Sequence, residues 1–251
     1  MALYVGQLLA TELVKELDTR TPCIIHVGSA KEEENLRRTN YIVEIILKVA
    51  GSHFSQKQKN KIIEALYYAA ENHKGKYRDD GFTPYLLHVL EVVYLLIKQG
   101  VLDYKAIVAA IIHDLVEDTP VTRNDVRSKF GYAISQIVHF LTKDKDPEKR
   151  KLYWSVMRSI KDRNILWWVI VIKFADRIHN MSTLHAIQEA DRRKRKLEET
   201  AREFPKLYSI LVNTLRELRR DGVFKAEKYL HLPFHLNNRL NRLHYEMEMQ
   251  Q

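Results

Sequence analysis

Apolar residues at helical spacing fill this chain from Gln56 onward, and little interrupts them. In KQKNKIIEALYYAAENHKG, the residues Ile62, Ile63, Leu66 and Ala70 fall on one helix face. The 251 residues include 8 glycines and 6 prolines while 45% are apolar, so few turns can separate the helices. The pattern predicts an all-α fold in a chain long enough to bury a sizeable core.

Glycine and proline mark where we expect helices to begin and end. Gly75 and Gly100 follow periodic stretches, as residues beyond a helix C-terminus do, and Pro84 stands where the next helix can open. Asp103 is the expected N-cap of one continuous helix, YKAIVAAIIHDLVEDT, which Pro120 closes. Further helices are predicted in RNDVRSKFG, YAISQIVHFLTK, KLYWSVMRSIKD and the long segments beyond, with a loop in DKDPEKR.

We divide the chain into three parts. Residues 1–55 form an N-terminal appendage of uncertain fold or a helical extension, in which TPCIIHVGSA could be a short strand or part of a hairpin and KEEENLRRTN a charged connector. Residues 56–220 form the main helical domain. Residues 221–251 form a C-terminal helical extension, which could serve packing or contact between copies in a homo-oligomer.

Cysteine content and charge indicate the compartment and the class of partner. Cys23 is the single cysteine, which excludes a disulfide framework and a cysteine-based zinc site within the chain. The start is not signal-like and the apolar run ILWWVIVI is too short to span a membrane, so we expect a cytoplasmic protein. The net charge of +9 favours anionic partners. No aromatic residues alternate with the charges of DRRKRKLEETAR, so we interpret it as a solvated helix face and do not expect a nucleic-acid partner.

The segment IIHDLVEDT concentrates four titratable groups in an otherwise apolar stretch. His113 and Asp114 are adjacent, and Glu117 and Asp118 follow at i+4, so a continuous helix would project all four from one sector. An uncompensated carboxylate in an apolar setting is costly, and coordination to a divalent cation is one common remedy. The segment therefore indicates a metal site.

Two side chains elsewhere are candidates to complete that site: His88 in TPYLLHVLEVV and Asp176 in VIVIKFADRIHN. Taken alone, a histidine in an apolar helix is more often a packed core residue than a ligand. Imidazole and carboxylate ligands without thiolate suit Mn(II), Fe(II), Zn(II) or Mg(II), with open positions for water and substrate.

Three segments also resemble one protein family. GFTPYLLHVLEVV resembles a G-x-P-Y-x-x-H-P stretch, AAIIHDLVEDTPVT an A-L-L-H-D-x-V-E-D-T segment, and VIKFADRIHNMSTL a V-K-L-A-D-R-L-H-N-M-x-T-L segment. Together they are typical of the RelA/SpoT-type alarmone hydrolases, a branch of the HD phosphohydrolase superfamily, and are closest to its stand-alone small enzymes. The resemblance covers about residues 62–211. It implies an HD-domain helical bundle and Mn(II)-dependent removal of the 3′-pyrophosphate from ppGpp and pppGpp, the alarmones of the stringent response.

By matched position, the resemblance implies a role for each candidate residue. The ligands of one Mn(II) ion per chain are His88, His113, Asp114 and Asp176. The pair that orients and deprotonates the attacking water is Glu117 and Asp118. The substrate contacts are Arg78 on the guanine base, with Asn180 and Thr183 along the ribose and 5′-phosphate. We expect Lys173 and Arg177, beside the fourth ligand, to hold the site together by pairing with acids.

Several positions depart from the family pattern or have an open interpretation. Val89 stands where the family has proline, and Phe204 stands where it often has a tyrosine near the nucleobase. His73 and Tyr85 could line the pocket or serve ordinary packing. His179 and His185 are interpreted as structural.

Two other functions remain open. The same metal site could serve a hydrolase of another nucleotide, such as a ppApp-type alarmone or the 2′-phosphate of NADPH. The fold could also be a catalytically silent nucleotide- or nucleic-acid-binding module. The presence of every expected ligand and of both water-handling acids disfavours the silent module.

Overall fold

The structure, a computed structural model, describes residues 30–143, 152–222 and 231–249, together with residues 146 and 148. Over these residues the chain is helical and contains no β-strand; one isolated antiparallel bridge joins Tyr77 and Pro84. The all-α prediction is confirmed. TPCIIHVGSA, apart from its last residue, and most of the loop DKDPEKR lie outside the described residues.

Contacts divide the chain into two compact units, Met1–Ser135 and Gln136–Gln251. The first unit contains α1 (Ala30–His53), α2 (Gln56–Asn72), α3 (Tyr85–Lys98), α4 (Tyr104–Ile111), α5 (Leu115–Asp118) and α6 (Arg123–Phe130), and α7 (Tyr132–Leu141) begins in it. The second unit contains α8 (Tyr153–Arg158), α9 (Arg163–Ser182), a 3₁₀ turn (Leu184–Ala186), α10 (Ala190–Arg220) and α11 (Leu232–Glu248). The predicted divisions after residues 55 and 220 stay predictions.

Helix α1 includes KEEENLRRTN, which we expected to be a connector. The helix forms because Ile42, Val43 and Ile46 make a buried face that packs against α2 and α3. Burying side chains of this size stabilises by roughly 1.5–3 kcal/mol each. One turn before Ile42, Arg38 pairs with Glu91 of α3 at 2.6 Å. The charged composition of the segment therefore marks the outer face of a packed helix, and the connector prediction was wrong.

The predicted helix boundaries of the first unit are confirmed at several positions. The carboxylate of Asp103 accepts hydrogen bonds from the backbone N–H groups of Lys105 and Ala106 at 2.8 and 3.3 Å, as an N-cap does. Pro84 directly precedes α3. Gly100 follows that helix with φ +74°, a left-handed conformation that other residues rarely adopt. These ends position the start of α3 and the whole of α4, from which the candidate site is built.

Helix α9 is almost entirely buried, as the run ILWWVIVI predicted. Every residue from Ile165 to Asp176 is buried, and the helix packs against both α10 and α11 within its own unit. Trp167 and Trp168 are core residues, whereas Trp154 is half-buried. The predicted C-terminal helix exists as α11. None of the helices in the described ranges is long and apolar enough to cross a membrane.

Candidate metal centre

The helix expected from Tyr104 to Thr119 is interrupted within the motif. α4 ends at Ile111 and α5 begins at Leu115, so the prediction of a continuous helix was wrong. The physical reason is a side-chain hydrogen bond: Nδ1 of His113 lies 2.8 Å from the carbonyl oxygen of Ala110. In a continuous helix, that oxygen would accept the hydrogen bond of the Asp114 N–H. The His113 side chain therefore competes with the backbone for it.

Three of the four predicted ligands meet at this interruption. Nε2 of His88 lies 3.5 Å from Oδ2 of Asp114, and Nε2 of His113 lies 3.1 Å from its Oδ1. The two imidazole centroids are 5.5 Å apart, and one ligand atom from each of the three residues lies within 4.8 Å of the others. His88 and His113 are 1% and 4% exposed. We call these three residues the imidazole cluster.

The contact with Ala110 fixes the proton on His113. A carbonyl oxygen can only accept, so Nδ1 must be the nitrogen that donates. In the neutral ring, Nε2 then has the lone pair, and this is the nitrogen beside Asp114. Metal-binding histidines are commonly oriented in this way, with the second nitrogen donating to a backbone carbonyl.

The carboxyl group of Asp114 is ionised in this setting. Desolvation by itself would raise its pKa, but the charge of His113 in its protonated form, and hydrogen bonds from that form of His113 and from His88, outweigh the effect. They hold the pKa of Asp114 well below its usual range. The cluster therefore presents one anionic oxygen ligand beside two nitrogen ligands.

Tyr85 and His73, whose roles the sequence left open, adjoin the cluster. The Tyr85 hydroxyl donates a hydrogen bond to Oδ2 of Asp114 at 2.8 Å. Burial, and then the charges of Asp114 and Asp118, raise the pKa of the Tyr85 phenol, which keeps its proton. His73 stacks on the Tyr85 ring, with centroids 4.8 Å apart and planes 24° apart. Burial is the main cause that lowers the pKa of His73 to about 4, so this imidazole is neutral at neutral pH.

The two predicted water-handling acids follow the cluster directly on α5. Glu117 is half-buried, and Asp118 is exposed. The backbone N–H of Asp118 donates to the carbonyl oxygen of Asp114 at 2.9 Å, and the ammonium of Lys76 donates to the carbonyl oxygen of Asp118. These contacts fix α5 against the cluster. The chemical role of the two acids stays a prediction.

Arg78 belongs to a compact turn just before α3. Its backbone N–H donates to the carbonyl oxygen of Thr83 at 2.8 Å, and the carboxylate of Asp80 accepts from the N–H groups of Phe82 and Thr83 at 3.0 and 2.8 Å. The guanidinium carbon of Arg78 lies 5.5 Å from the centroid of the Tyr85 ring. The turn therefore holds the predicted base-stacking residue beside the tyrosine that contacts Asp114.

Asp176, the fourth predicted ligand, lies on α9 in the second unit and is 8% exposed. The side-chain amide of Asn180 donates to its Oδ1 at 2.6 Å, and the ammonium of Lys173 lies 3.6 Å from its Oδ2. Thr183 ends the same helix, and its hydroxyl donates to the carbonyl oxygen of His179 at 3.1 Å. Membership of Asp176 in the ligand set stays a prediction, because the cluster lies in the other unit.

The expected pairing of Lys173 and Arg177 with acids is confirmed. Beside the contact of Lys173 with Asp176, the guanidinium of Arg177 meets Glu199 at 3.1 Å and Glu203 at 2.5 Å. Lys143 meets the same two acids at 2.6 and 3.2 Å. We call the four residues Lys143, Arg177, Glu199 and Glu203 the charge network.

Phe204 follows the charge network on α10. Its ring packs edge-on against Phe174, with centroids 6.0 Å apart, and stacks on Tyr208 at 6.1 Å. The position that the family often fills with a tyrosine is therefore part of an aromatic group in the second unit.

Among the described residues, the imidazole cluster is the one group of three histidine, cysteine, aspartate or glutamate side chains close enough to share a metal ion. His231, His235 and His244 form no such group among the described residues. The donor chemistry of the cluster, two nitrogens and one carboxylate oxygen, fits a divalent transition metal.

Comparison with known proteins identifies the family. A family model described as an HD domain matches residues 65–216, more than half of the chain. The chain therefore belongs to the HD domain family. The matched range includes all the predicted site residues, and the resemblance drawn from the three motifs is confirmed.

Within that family, the chain is similar in sequence to enzymes of alarmone metabolism. The bifunctional (p)ppGpp synthase/hydrolase SpoT of Escherichia coli is 31% identical over 183 residues, which are 70% of this chain and 24% of SpoT. A guanosine-3′,5′-bis(diphosphate) 3′-pyrophosphohydrolase of Haemophilus influenzae is 35% identical over 143 residues, 53% of this chain and 20% of that protein. The chain thus spans about a quarter or less of the length of these relatives.

A solved structure resembles the chain over a larger share of its own length. It is that of a metazoan orthologue of SpoT described as hydrolysing ppGpp. The TM-score is 0.52 at 26% identity, over 65% of this chain and 97% of that one.

Proposed function

We propose that the protein hydrolyses ppGpp and pppGpp at the 3′ position, releasing pyrophosphate and leaving GDP or GTP. The observation on which this depends is the imidazole cluster, in which His88, His113 and Asp114 meet inside an HD domain. Relatives named for this reaction match the segment that contains the cluster. The matched solved structure, which this chain covers over 97% of its length, is also described as hydrolysing ppGpp.

A divalent cation is part of this proposal. His88, His113 and Asp114 would hold it, and we propose Asp176 as the fourth ligand and Mn(II) as the ion, both supported by the family resemblance. When bound, such an ion supplies an activated water nucleophile and neutralises charge on the phosphoryl oxygens. The neutral, Nε2-ligating form of His113 and the ionised Asp114 are the protonation states that this requires.

The remaining predicted residues act on the water and the substrate. Glu117 and Asp118 would accept the proton of the attacking water as general bases, and they lie within one turn of Asp114. Arg78 would stack on the guanine base. Asn180 and Thr183 would contact the ribose and the 5′-phosphate. The net charge of +9 favours approach of a substrate with four or five phosphates. We propose the cytoplasm as the compartment, since a single cysteine fits a reducing environment.

The decisive experiment is a substrate panel with the purified full chain. Metal is removed, Mn(II), Fe(II), Zn(II) or Mg(II) is added back separately, and ppGpp, pppGpp, ppApp and NADPH are each incubated, with every product identified by ion-exchange chromatography. We expect pyrophosphate from ppGpp and pppGpp, with Mn(II) the most effective ion. His113→Ala and Asp114→Ala should abolish the reaction, and Glu246→Gln, at a partly exposed position of α11, should not change it.

Each other outcome points elsewhere. Intact ppGpp in the presence of bound metal contradicts the proposed substrate. Turnover of ppApp or of the NADPH 2′-phosphate alone indicates a hydrolase of another nucleotide. Absence of any turnover, together with RNA binding that weakens steeply with salt, indicates a binding module.

A further inference from the structure

Tyr85 links α3, on which it lies, to the break between α4 and α5. It is the first residue of α3, one turn before His88, and its ring meets the His88 ring edge-on with centroids 5.5 Å apart. Its hydroxyl reaches across to Oδ2 of Asp114 at 2.8 Å. One side chain therefore touches two of the three residues in the imidazole cluster.

The hydrogen bond from Tyr85 constrains the carboxylate of Asp114. A carboxylate that only approached two imidazoles could rotate about its terminal torsion, which is broad and soft. A phenol that donates to Oδ2 selects one orientation and leaves Oδ1 on the side of His113. Outer hydrogen bonds of this kind fix ligand orientation before a metal arrives.

His73 in turn restrains the Tyr85 ring. The two rings stack at 4.8 Å, and His73 is 2% exposed. Neither ring nitrogen of His73 has a hydrogen-bond partner among the described residues. What the described residues give this imidazole is therefore a contact of its ring face with Tyr85 rather than a hydrogen bond.

We propose that Tyr85 is a positioning residue that orients the Asp114 carboxylate for metal binding, and that His73 clamps the Tyr85 ring in place. The inference rests on the proposed function, since it takes Asp114 as a metal ligand. It assigns a role to two residues that the motif comparison left undecided. It also gives a reason for the stack of His73 on Tyr85 next to the imidazole cluster.

The test is the affinity of the metal-free protein for Mn(II), measured from free Mn(II) by electron paramagnetic resonance. Tyr85→Phe keeps the ring and its stack but removes the donor, and it should weaken Mn(II) binding by roughly 10–100-fold. The Mn(II) concentration for half-maximal ppGpp hydrolysis should rise by the same factor, with an unchanged KM for ppGpp at saturating Mn(II). Tyr94→Phe removes a hydroxyl from the same helix, at its contact with Tyr41, and should leave both values as in the wild type.

Two variants of His73 test the clamp. His73→Phe preserves a flat ring and should bind Mn(II) almost as the wild type does, whereas His73→Ala should bind more weakly. A His73→Phe protein as weak as His73→Ala would overturn the role of the stack. Wild-type affinity in Tyr85→Phe would overturn the positioning role, while a wild type that neither binds Mn(II) nor hydrolyses ppGpp would overturn the proposed function itself.

Discussion

The imidazole cluster and the charge network both bring carboxylates into poorly solvated positions, but with different partners. Asp114 meets two imidazoles and a phenol. Glu199 and Glu203 instead meet Arg177 and Lys143, which are cations at that pH. The second arrangement is already compensated, whereas the first gains from an added cation.

This difference separates a site from a structural contact. Removing one partner of a compensated network leaves a charge without its counterion, so the fold loses stability. Removing the charge of a metal ligand costs the metal-free fold less when the replacement keeps a hydrogen bond, and the larger loss falls on metal binding. The two groups should therefore respond in opposite ways to the same kind of mutation, and the following experiments can break or sharpen the contrast.

The largest expected effect is the loss of ppGpp hydrolysis in Asp114→Asn. The amide oxygen can still accept from Tyr85, but the anionic ligand is lost, so activity should fall by more than about 100-fold, beyond what outer-shell changes cost. The free energy of unfolding of the metal-free protein should fall by less than it does in Arg177→Ala, because the amide keeps the hydrogen bond from Tyr85. Urea denaturation checks this, and a large loss of stability would place Asp114 among structural charges.

Arg177→Ala should produce the reverse result. The Arg177 side chain is 11% exposed, and its loss leaves Glu199 and Glu203 beside each other with Lys143 as the remaining cation. Breaking a buried pair from one side costs about 3 kcal/mol of unfolding free energy. The matched control is Arg242→Ala, which removes an exposed i,i+4 pair on α11 and should cost less than about 0.5 kcal/mol. Equal losses in the two variants would contradict the contrast.

Metal addition should stabilise through the imidazole cluster. At a free Mn(II) concentration about 100 times Kd, binding to the folded state alone adds about 2.7 kcal/mol, seen as a rise in Tm. Arg242→Ala should show the full rise. Asp114→Asn should show little of it, and an undiminished rise in that variant would mean that the ion binds elsewhere.

The smallest effect concerns acid pH and Glu199. Burial acts to raise its pKa, but Arg177 and Lys143 lower it from the ordinary 4.5 to about 2. Because the folded-state pKa lies below the unfolded one, this contribution is complete above about pH 4.5 and is lost as the pH falls towards 2. Over that window the stability of wild type should fall more steeply than that of Glu199→Gln. Parallel curves would show that the charge network does not perturb this acid.

Local signals in the sequence were enough for much of the fold. The cap at Asp103, the stop at Gly100 and the buried run before Lys173 are properties of a few neighbouring residues, and the structure confirms them. The connector expected over KEEENLRRTN failed because charge was weighed without the apolar face that begins at Ile42. That face stabilises the helix only when α2 and α3 bury it, which is a tertiary contact.

In the candidate site, too, the sequence predicted the residues but not all of their contacts. His88, His113 and Asp114 could be named from residue type, order and family pattern, because metal chemistry restricts which side chains serve. The hydroxyl contact from Tyr85 could not, since tyrosine at a helix start is as often a packing residue. Its position three residues before His88 places the two side chains on one face of α3. That this face is turned towards Asp114 is known only from the fold.

The sequence by itself determined that this chain is helical, which family it belongs to, and which residue types supply its ligands. Those are properties of composition, period and motif. The tertiary structure decided where the helix breaks between Ile111 and Leu115, which nitrogen of His113 faces Asp114, and which ring holds the carboxylate. Each of these depends on distances between groups far apart in the chain or on competition for a single backbone oxygen, and no periodic pattern encodes either.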